Sequence, residues 1–221
     1  MIKLVAFDWN GTLLADTHIN LECSNLNNKI FGLKPINLKQ FREMFQIPSS
    51  LFWFARGGKK KDLPKVANNF HKFYEDKVNR TRTRRGSIEI LKYLKQKKNQ
   101  SIIYSNHTIQ DIAKQLTRLN VSKYFGQVLA RTPEDGHSQV YKRTKDLRLH
   151  SYIKKIALKP KEILTIGDTE EEIEIGKKYG YHTVAITGGY NTTARLKKHH
   201  PDFLIHNMLE LKKIIKKLNQ A

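Results

Sequence analysis

Four short stretches of this 221-residue chain hold side chains suited to chemistry on an anionic centre. Asp8 closes the apolar run Leu4-Val5-Ala6-Phe7 and is followed by Asn10, Gly11 and Thr12. A carboxylate is rarely buried without a partner, so one set at the end of such a run reads as a nucleophile or a ligand rather than as packing. Gly11 frees the backbone to turn sharply, and the Thr12 hydroxyl can hold that turn. Ser105 and Asn106 end a second apolar run, Ile102-Ile103-Tyr104, with a hydroxyl and an amide. The segment Tyr141 to Lys145 supplies a cation, with Lys142 and Lys145 both candidates. Asp168 ends a third run, Ile163 to Gly167, and precedes Glu170-Glu171-Glu172. Residues four apart on a helix share a face, which brings Glu172 towards Asp168. Clustered carboxylates repel one another unless a cation sits among them, and hard oxygen donors suit Mg²⁺. An Asp-containing turn would explain Asp8 taken alone; the three later stretches argue for a site.

Those groups have to be carried by buried strands. Runs without polar alternation are expected where helices cover both faces of a parallel sheet, and open sheets of that kind bind ligands at the carboxyl ends of their strands. Between the runs, Ser87 to Lys98 is amphipathic, Thr108 and Asp111 resemble a capping box ahead of a helix from Ile109 to Leu119, and Asp146 to Ile156 reads as another helix. Short strands are expected at Gln127 to Ala130, His182 to Thr187 and Pro201 to Ile205, with a loop at Arg131 to His137, a turn at Gly188-Gly189 and a terminal helix over Leu209 to Leu218. His107 is expected in a turn facing solvent.

From Asp16 to Arg85 the pattern changes to helical stretches, Asn25 to Phe31, Leu38 to Phe45 and Val66 to Val78, broken at Pro35, Pro48 and Pro64. Phe52-Trp53-Phe54 is expected to pack inside this region. In the loop that follows, Arg56 and Lys59 flank Gly57-Gly58: the two cations could hold an anionic tail, or the loop could be a mobile surface tip.

In order and separation, the motifs around Asp8, Ser105, Lys145 and Asp168 resemble those of the haloacid dehalogenase superfamily of phosphohydrolases, in its phosphoglycolate-phosphatase-like form with a helical cap. The resemblance covers the chain from Asp8 to the strand near Phe203. It implies an α/β fold with a Rossmann-like parallel sheet core, residues 1–15 and 86–221, and an inserted helical cap, residues 16–85. It implies Asp8 as nucleophile, Ser105 and the Asn106 N–H as holders of the phosphoryl group, Gly11 and Thr12 at the substrate, and an active-site lysine. Lys145 is chosen over Lys142 for its distance from Gly167-Asp168, although the family's usual Lys-Pro pairing is absent. Mg²⁺ is implied, held by Asp8, the Asn10 carbonyl, Asp168 and Glu172, the last replacing the family's usual Asp. Asn10 is the chief departure. The family usually has Asp there as general acid and base, a role typically worth ~10²–10⁴-fold. The expectation is therefore a slow phosphatase of a small phosphomonoester that favours good leaving groups. The alternatives are a non-catalytic phosphate-binding or regulatory protein, or a basic nucleic-acid-binding module.

Composition bounds these readings. The 41 basic and 20 acidic residues give a net charge of +21, which would concentrate any polyanion near the surface. No nucleic-acid-binding motif accompanies it, so a small phosphorylated metabolite is favoured over nucleic acid as partner. The single cysteine, Cys23, cannot form an intrachain disulfide and fits a reducing, cytoplasmic setting. No apolar run approaches the ~20 residues that span a bilayer, so no membrane is expected, and monomer and homodimer both stay open.

Overall fold

Six parallel strands organise the chain in the computed structural model, which describes residues 1–136 and 138–220. His137, at the end of the loop expected after Arg131, lies outside the described residues. In order, the elements are β1 (Leu4–Phe7), α1 (Thr17–Ile30), α2 (Leu38–Met44), α3 (Ser49–Phe54), α4 (Leu63–Val78), α5 (Ser87–Gln96), β2 (Gln100–Thr108), α6 (Ile109–Arg118) and β3 (Gln127–Arg131). They continue with α7 (Ser138–Tyr141), α8 (Lys145–Lys155), β4 (Ile163–Gly167), α9 (Glu170–Tyr179), β5 (His182–Ile186), α10 (Thr193–Lys198), β6 (Phe203–Ile205) and α11 (Leu211–Gln220).

The strand order β3-β2-β1-β4-β5-β6 is that of a doubly wound sheet, and it reverses direction between β1 and β4. Successive strand residues point to opposite faces, and both faces here are covered, which is why the runs are apolar throughout. Val5, Phe7, Ile103, Leu164 and Ile166 pack against α5 and α11 through Ile90, Leu91, Leu94, Leu211 and Ile215. Leu4, Ala6, Ile102, Tyr104 and Ile163 meet Leu149 and Ile153 of α8 and Ile175 of α9 on the other side. Phe7 is in register with Ile103 on one side and Ile166 on the other. Asp8 therefore emerges level with Tyr104 and Gly167, and Ser105 and Asp168 follow one residue further on.

Two local expectations change. The second strand continues to Thr108 instead of ending at Tyr104, because Thr108 pairs with Arg131 of β3 after a register shift. His107 thus lies in a strand extension and not in a solvent-facing turn. Helix α1 begins at Thr17, eight residues before the apolar pattern suggests, because its buried positions include Thr17, Ser24, Asn27 and Asn28. Asparagine supplies the fastening there: Asn25 exchanges hydrogen bonds with the Ile36 backbone in both directions at 2.9 Å.

Helices α1 to α4 form an insertion between β1 and α5, with α1 packed along α4. Its entering and leaving segments run side by side: Ala15 N–H donates to Arg82 O at 2.9 Å, and Arg84 N–H to Leu13 O at 2.8 Å. The insertion meets the sheet domain through Phe41 and Phe52 against Tyr190, and through Arg42, which donates to the carbonyls of Gly188 and Gly189 at 2.8 Å each. Among the described residues no helix is long and apolar enough to cross a membrane.

Candidate active site

Asp8 continues the sheet pattern with its N–H, which donates to Ile166 O at 2.9 Å, and projects its carboxylate beyond the strand end. The Lys145 ammonium donates to Asp8 Oδ1 at 2.6 Å and also to Glu172, and it lies 3.9 Å from Glu171 Oε2 and 4.5 Å from the Tyr104 ring centre. Lys145 is the first residue of α8 and is fully buried, whereas Lys142 is exposed. Of the two lysines left open by the sequence, Lys145 is the one the fold brings to Asp8.

This cation faces a surplus of buried negative charge. Asp8, Glu171 and Glu172 are buried around it, and the buried Asp168 acts on Asp8 from beyond them. Burial is the main cause that raises the Asp8 carboxyl well above the ordinary range; Lys145 opposes the rise, and Glu172 and Asp168 add to it. Burial and then Glu172 push Asp168 up to about 6, and burial pushes Glu171 up to about 7 against the pull of Lys145. Glu171 Oε1 has no hydrogen-bond partner among the described residues although it is buried. Hard oxygen donors with uncompensated charge are what a divalent cation such as Mg²⁺ requires, so the donor set fits that ion.

The individual ligand candidates differ. Glu172 closes a capping box at the start of α9: its Oε2 accepts from the Thr169 N–H at 3.0 Å and hydroxyl at 2.6 Å, while Oε1 takes Lys145. Asp168 is fully buried and does not line the cavity described below. Its Oδ1 accepts from the Thr12 hydroxyl and its Oδ2 from the Tyr190 N–H, each at 2.6 Å. Each Asp168 carboxylate oxygen still has a second lone pair to offer, whereas Glu172 Oε2 has spent both of its own on Thr169. Gly11 and Gly189 press on this carboxylate so closely that a Cβ would stand 2.3 and 2.1 Å from Oδ2. The expectation that Gly11 and Thr12 touch substrate is thereby corrected. Thr12 is buried with its hydroxyl committed to Asp168, Gly11 N–H donates to Asp16 Oδ1 at 2.7 Å, and neither residue lines the cavity.

Asn10 does line the cavity, but its amide donates away from Asp8, to Asp16 Oδ2 at 2.7 Å and the Tyr74 hydroxyl at 2.8 Å. The hydroxyls of Tyr74 and Tyr190 also donate to Asp16, at 2.7 and 2.9 Å. Burial raises the Asp16 carboxyl, and these bonds hold it down. Nothing in the residue pattern announces this network, because its members come from the β1 turn, α4 and the loop after β5, with no shared spacing.

Ser105 is buried, with its Oγ accepting the His107 N–H at 3.1 Å, and Asn106 donates its side-chain amide to Glu171 at 2.7 Å. Two arginines hold this bend from behind: Arg148 donates to Ser105 O at 3.0 Å and Arg131 to Asn106 O at 2.8 Å. Burial keeps the His107 imidazole neutral, pushing it down to about 4.

A cavity of about 220 Å³ opens between this strand edge and the insertion. Asp8, Asn10, Ser105, Asn106, Lys145 and Glu172 face it at one end; Phe45, Phe52, Trp53, Val66 and Phe70 furnish apolar walls, and Arg56 also lines it. Lys59 does not line it and is exposed, with its carbonyl accepting the Trp53 indole N–H at 3.1 Å. The Arg56 to Lys59 loop folds onto Trp53, and a Cβ at Gly58 would lie 2.1 Å from that ring. The fold turns Arg56 in and Lys59 out, so of the pair expected to hold an anion only Arg56 lines the cavity.

Comparison with known proteins agrees with this arrangement. Residues 5–186 match the family described as haloacid dehalogenase-like hydrolase. The chain is 21% identical to a phosphoglycolate phosphatase of Synechococcus elongatus, over 98% of this chain and 99% of that protein. It is 23% identical to one of Haemophilus influenzae, over 96% and 98%. Among solved structures, a haloacid dehalogenase-like hydrolase from Streptococcus pneumoniae superposes with a TM-score of 0.83 at 20% identity, covering 97% of this chain and 98% of that one. A predicted phosphatase from Clostridium acetobutylicum does so with a TM-score of 0.84 at 16% identity, covering 98% and 99%.

Proposed function

The chain belongs to the haloacid dehalogenase-like hydrolase family, and from that premise we propose that it is a Mg²⁺-dependent phosphatase of small phosphomonoesters, working through Asp8. The relatives named phosphoglycolate phosphatase support the reaction class. The observation that carries the reading is the buried Lys145–Asp8 contact of 2.6 Å at the end of the central strand, with Ser105 beside it. Lys145 fixes Asp8 Oδ1, and the other carboxylate oxygen attacks phosphorus while the ester P–O bond breaks and the alcohol or phenol oxygen leaves; water then hydrolyses the aspartyl-phosphate, releasing inorganic phosphate and restoring Asp8. Ser105 and the Asn106 N–H orient the phosphoryl oxygens, and Lys145 offsets the charge spread over them, the main requirement of such transfers. A divalent cation held by Asp8, the Asn10 carbonyl, Asp168 and Glu172 would supply further charge neutralisation at the phosphoryl group. The insertion covers the strand edge and limits access to the attacking carboxylate to what the cavity admits, the substrate first and then the hydrolytic water.

Asn10 sets the limit of this chemistry. An amide that donates to Asp16 and Tyr74 neither protonates a leaving group nor deprotonates water, so turnover is slow and favours aryl or acyl phosphates. The same commitment of Asn10 favours the second reading, a phosphate-binding protein without turnover. Hydrolysis of p-nitrophenyl phosphate by purified protein with Mg²⁺, beside an Asp8→Asn variant, separates the two. Mg²⁺-dependent activity abolished in the variant supports the phosphatase; equal background rates in both, with phosphate binding retained, support the binding protein.

A further inference from the structure

The cavity continues past the reacting end into a region lined mainly by the insertion, with Val140 of α7 on its wall, and Arg56 faces into it. Among the described residues the Arg56 Nε and Nη2 atoms are buried with no hydrogen-bond partner. An arginine fork left unsatisfied inside a protein costs free energy, and such groups are kept where a ligand completes them. No carboxylate near it offsets the burial, which alone pushes the guanidinium down to about 10. It lies over the Phe52 ring at 5.0 Å, Phe52 meets Phe45 at 5.5 Å, and Phe45 meets Tyr190 at 4.8 Å. Tyr190 in turn reaches Asp16 and Asp168. A ladder of aromatic rings therefore separates Arg56 from the reacting groups, and Arg56 and Lys145 serve different parts of any bound molecule. The wall opposite is also apolar, with Leu63, Val66, Phe70 and Val140.

Resting on the phosphatase reading above, we propose that the substrate is a phosphomonoester with an apolar, preferably aromatic, body that ends in a second anionic group, a carboxylate in the simplest case, which Arg56 holds in its fork. The planar guanidinium pairs with a carboxylate through two parallel N–H bonds, and the rings cover the body between the two charges. This selects against a short, wholly polar phosphoester, which would leave either Arg56 or the aromatic walls unmatched.

The test compares two probes with the same body, 4-(2-carboxyethyl)phenyl phosphate and 4-propylphenyl phosphate, by kcat/KM with Mg²⁺. A charge-assisted bond to a buried partner is worth about 1.5–3 kcal/mol, so the carboxylated probe is expected to be preferred about 10- to 100-fold, mostly through KM. In Arg56→Met the preference collapses towards unity, and Arg56→Lys restores part of it, which a merely structural role for Arg56 would not do. Calorimetric titration with 3-phenylpropanoate, which carries no phosphate, reads the Arg56 end without turnover: saturable binding lost in Arg56→Met is expected. Equal kcat/KM for the two probes in the wild-type protein, or a preference that survives Arg56→Met, overturns the proposal. Should neither probe be hydrolysed, the phosphatase reading fails on its own; the titration then still decides, with binding supporting the anion subsite and its absence removing it.

Discussion

The two ends of the cavity are built on opposite plans. At the strand edge, Asp8, Lys145 and Glu172 are buried and bonded to one another, and Asp168 is locked by Thr12 and Tyr190. At the insertion end, Arg56 lies among aromatic rings with two nitrogens unpaired among the described residues. The first plan fixes geometry before anything binds, which electrostatic stabilisation of a charged transition state needs. The second leaves a binding demand open, and a demand of that kind discriminates between ligands. On the proposed reading chemistry and selectivity are divided between the sheet and the insertion, and substitutions on either side of that division are expected to have different signatures.

The largest effect is expected for Lys145→Met. Losing this buried ammonium leaves its carboxylates facing each other, so kcat/KM for p-nitrophenyl phosphate falls by about 10³-fold and the urea-derived stability by about 3 kcal/mol. Mg²⁺ should return part of the stability, since it supplies charge to the same oxygens; an unchanged unfolding midpoint without Mg²⁺ would refute the account of the reacting end. Asn10→Asp comes next. The new carboxylate stands beside the buried Asp16, whose carboxyl burial already raises, so the pair favours holding a proton that can serve as an acid, and turnover of an alkyl phosphate should rise by about 10²-fold while an aryl phosphate changes little. Equal ratios for both substrates would show that Asn10 is not the handicap.

A matched pair of glycine substitutions sharpens the contrast. In Gly189→Ala the methyl displaces Asp168, and in Gly58→Ala it displaces Trp53. Each should cost about 1–3 kcal/mol, but the first should lower kcat by about tenfold and the second should raise KM for the carboxylated probe with kcat nearly kept. Identical kinetic signatures would erase the division between the two ends. The smallest effect concerns His107, whose ring packs 5.3 Å from that of Tyr74 at the seam between sheet and insertion. Its folded-state value is depressed to about 4, so its contribution to stability is fully present above the ordinary value of 6.5 and is lost as the pH falls towards 4. The difference in unfolding free energy between wild type and His107→Gln should shrink by about 1.5 kcal/mol from pH 6.5 to 5. A pH-independent difference would place the ring in water.

The sheet was legible because its chemistry is linear. Most strands are short apolar runs, and Asp8 and Asp168 follow the ends of two of them while Ser105 follows the apolar part of a third, so their gathering at one sheet edge could be read directly, as could the general position of Lys145. Contacts that join distant segments were not legible. Asp16 looked like the first polar residue of a helical region, and nothing in its neighbours announces Asn10, Tyr74 and Tyr190 as its partners. Thr12 and Gly11 were expected at the substrate because they follow Asp8, yet the turn, whose directions spacing does not encode, sends the Thr12 hydroxyl to Asp168 and the Gly11 N–H to Asp16. Arg56 and Lys59 look equivalent on paper; the fold of Gly57-Gly58 over Trp53 makes one an inward group and the other an outward one. Helix α1 escaped the periodic reading because asparagines, serine and threonine fill buried positions that apolar residues normally take.

The backbone pairing of Ala15 with Arg82 and of Leu13 with Arg84 has an evolutionary consequence. Paired strands lie about 4.8 Å apart, so the sheet domain receives the insertion at two adjacent points, much as it would receive a hairpin turn. Whatever lies beyond those points can be lengthened, shortened or exchanged without altering the order of a single strand, and the entropic penalty of a longer excursion grows only with the logarithm of its length. The catalytic sheet is in that sense a socket, and a descendant could acquire a new substrate by replacing the plug while leaving Asp8 and Lys145 where they are.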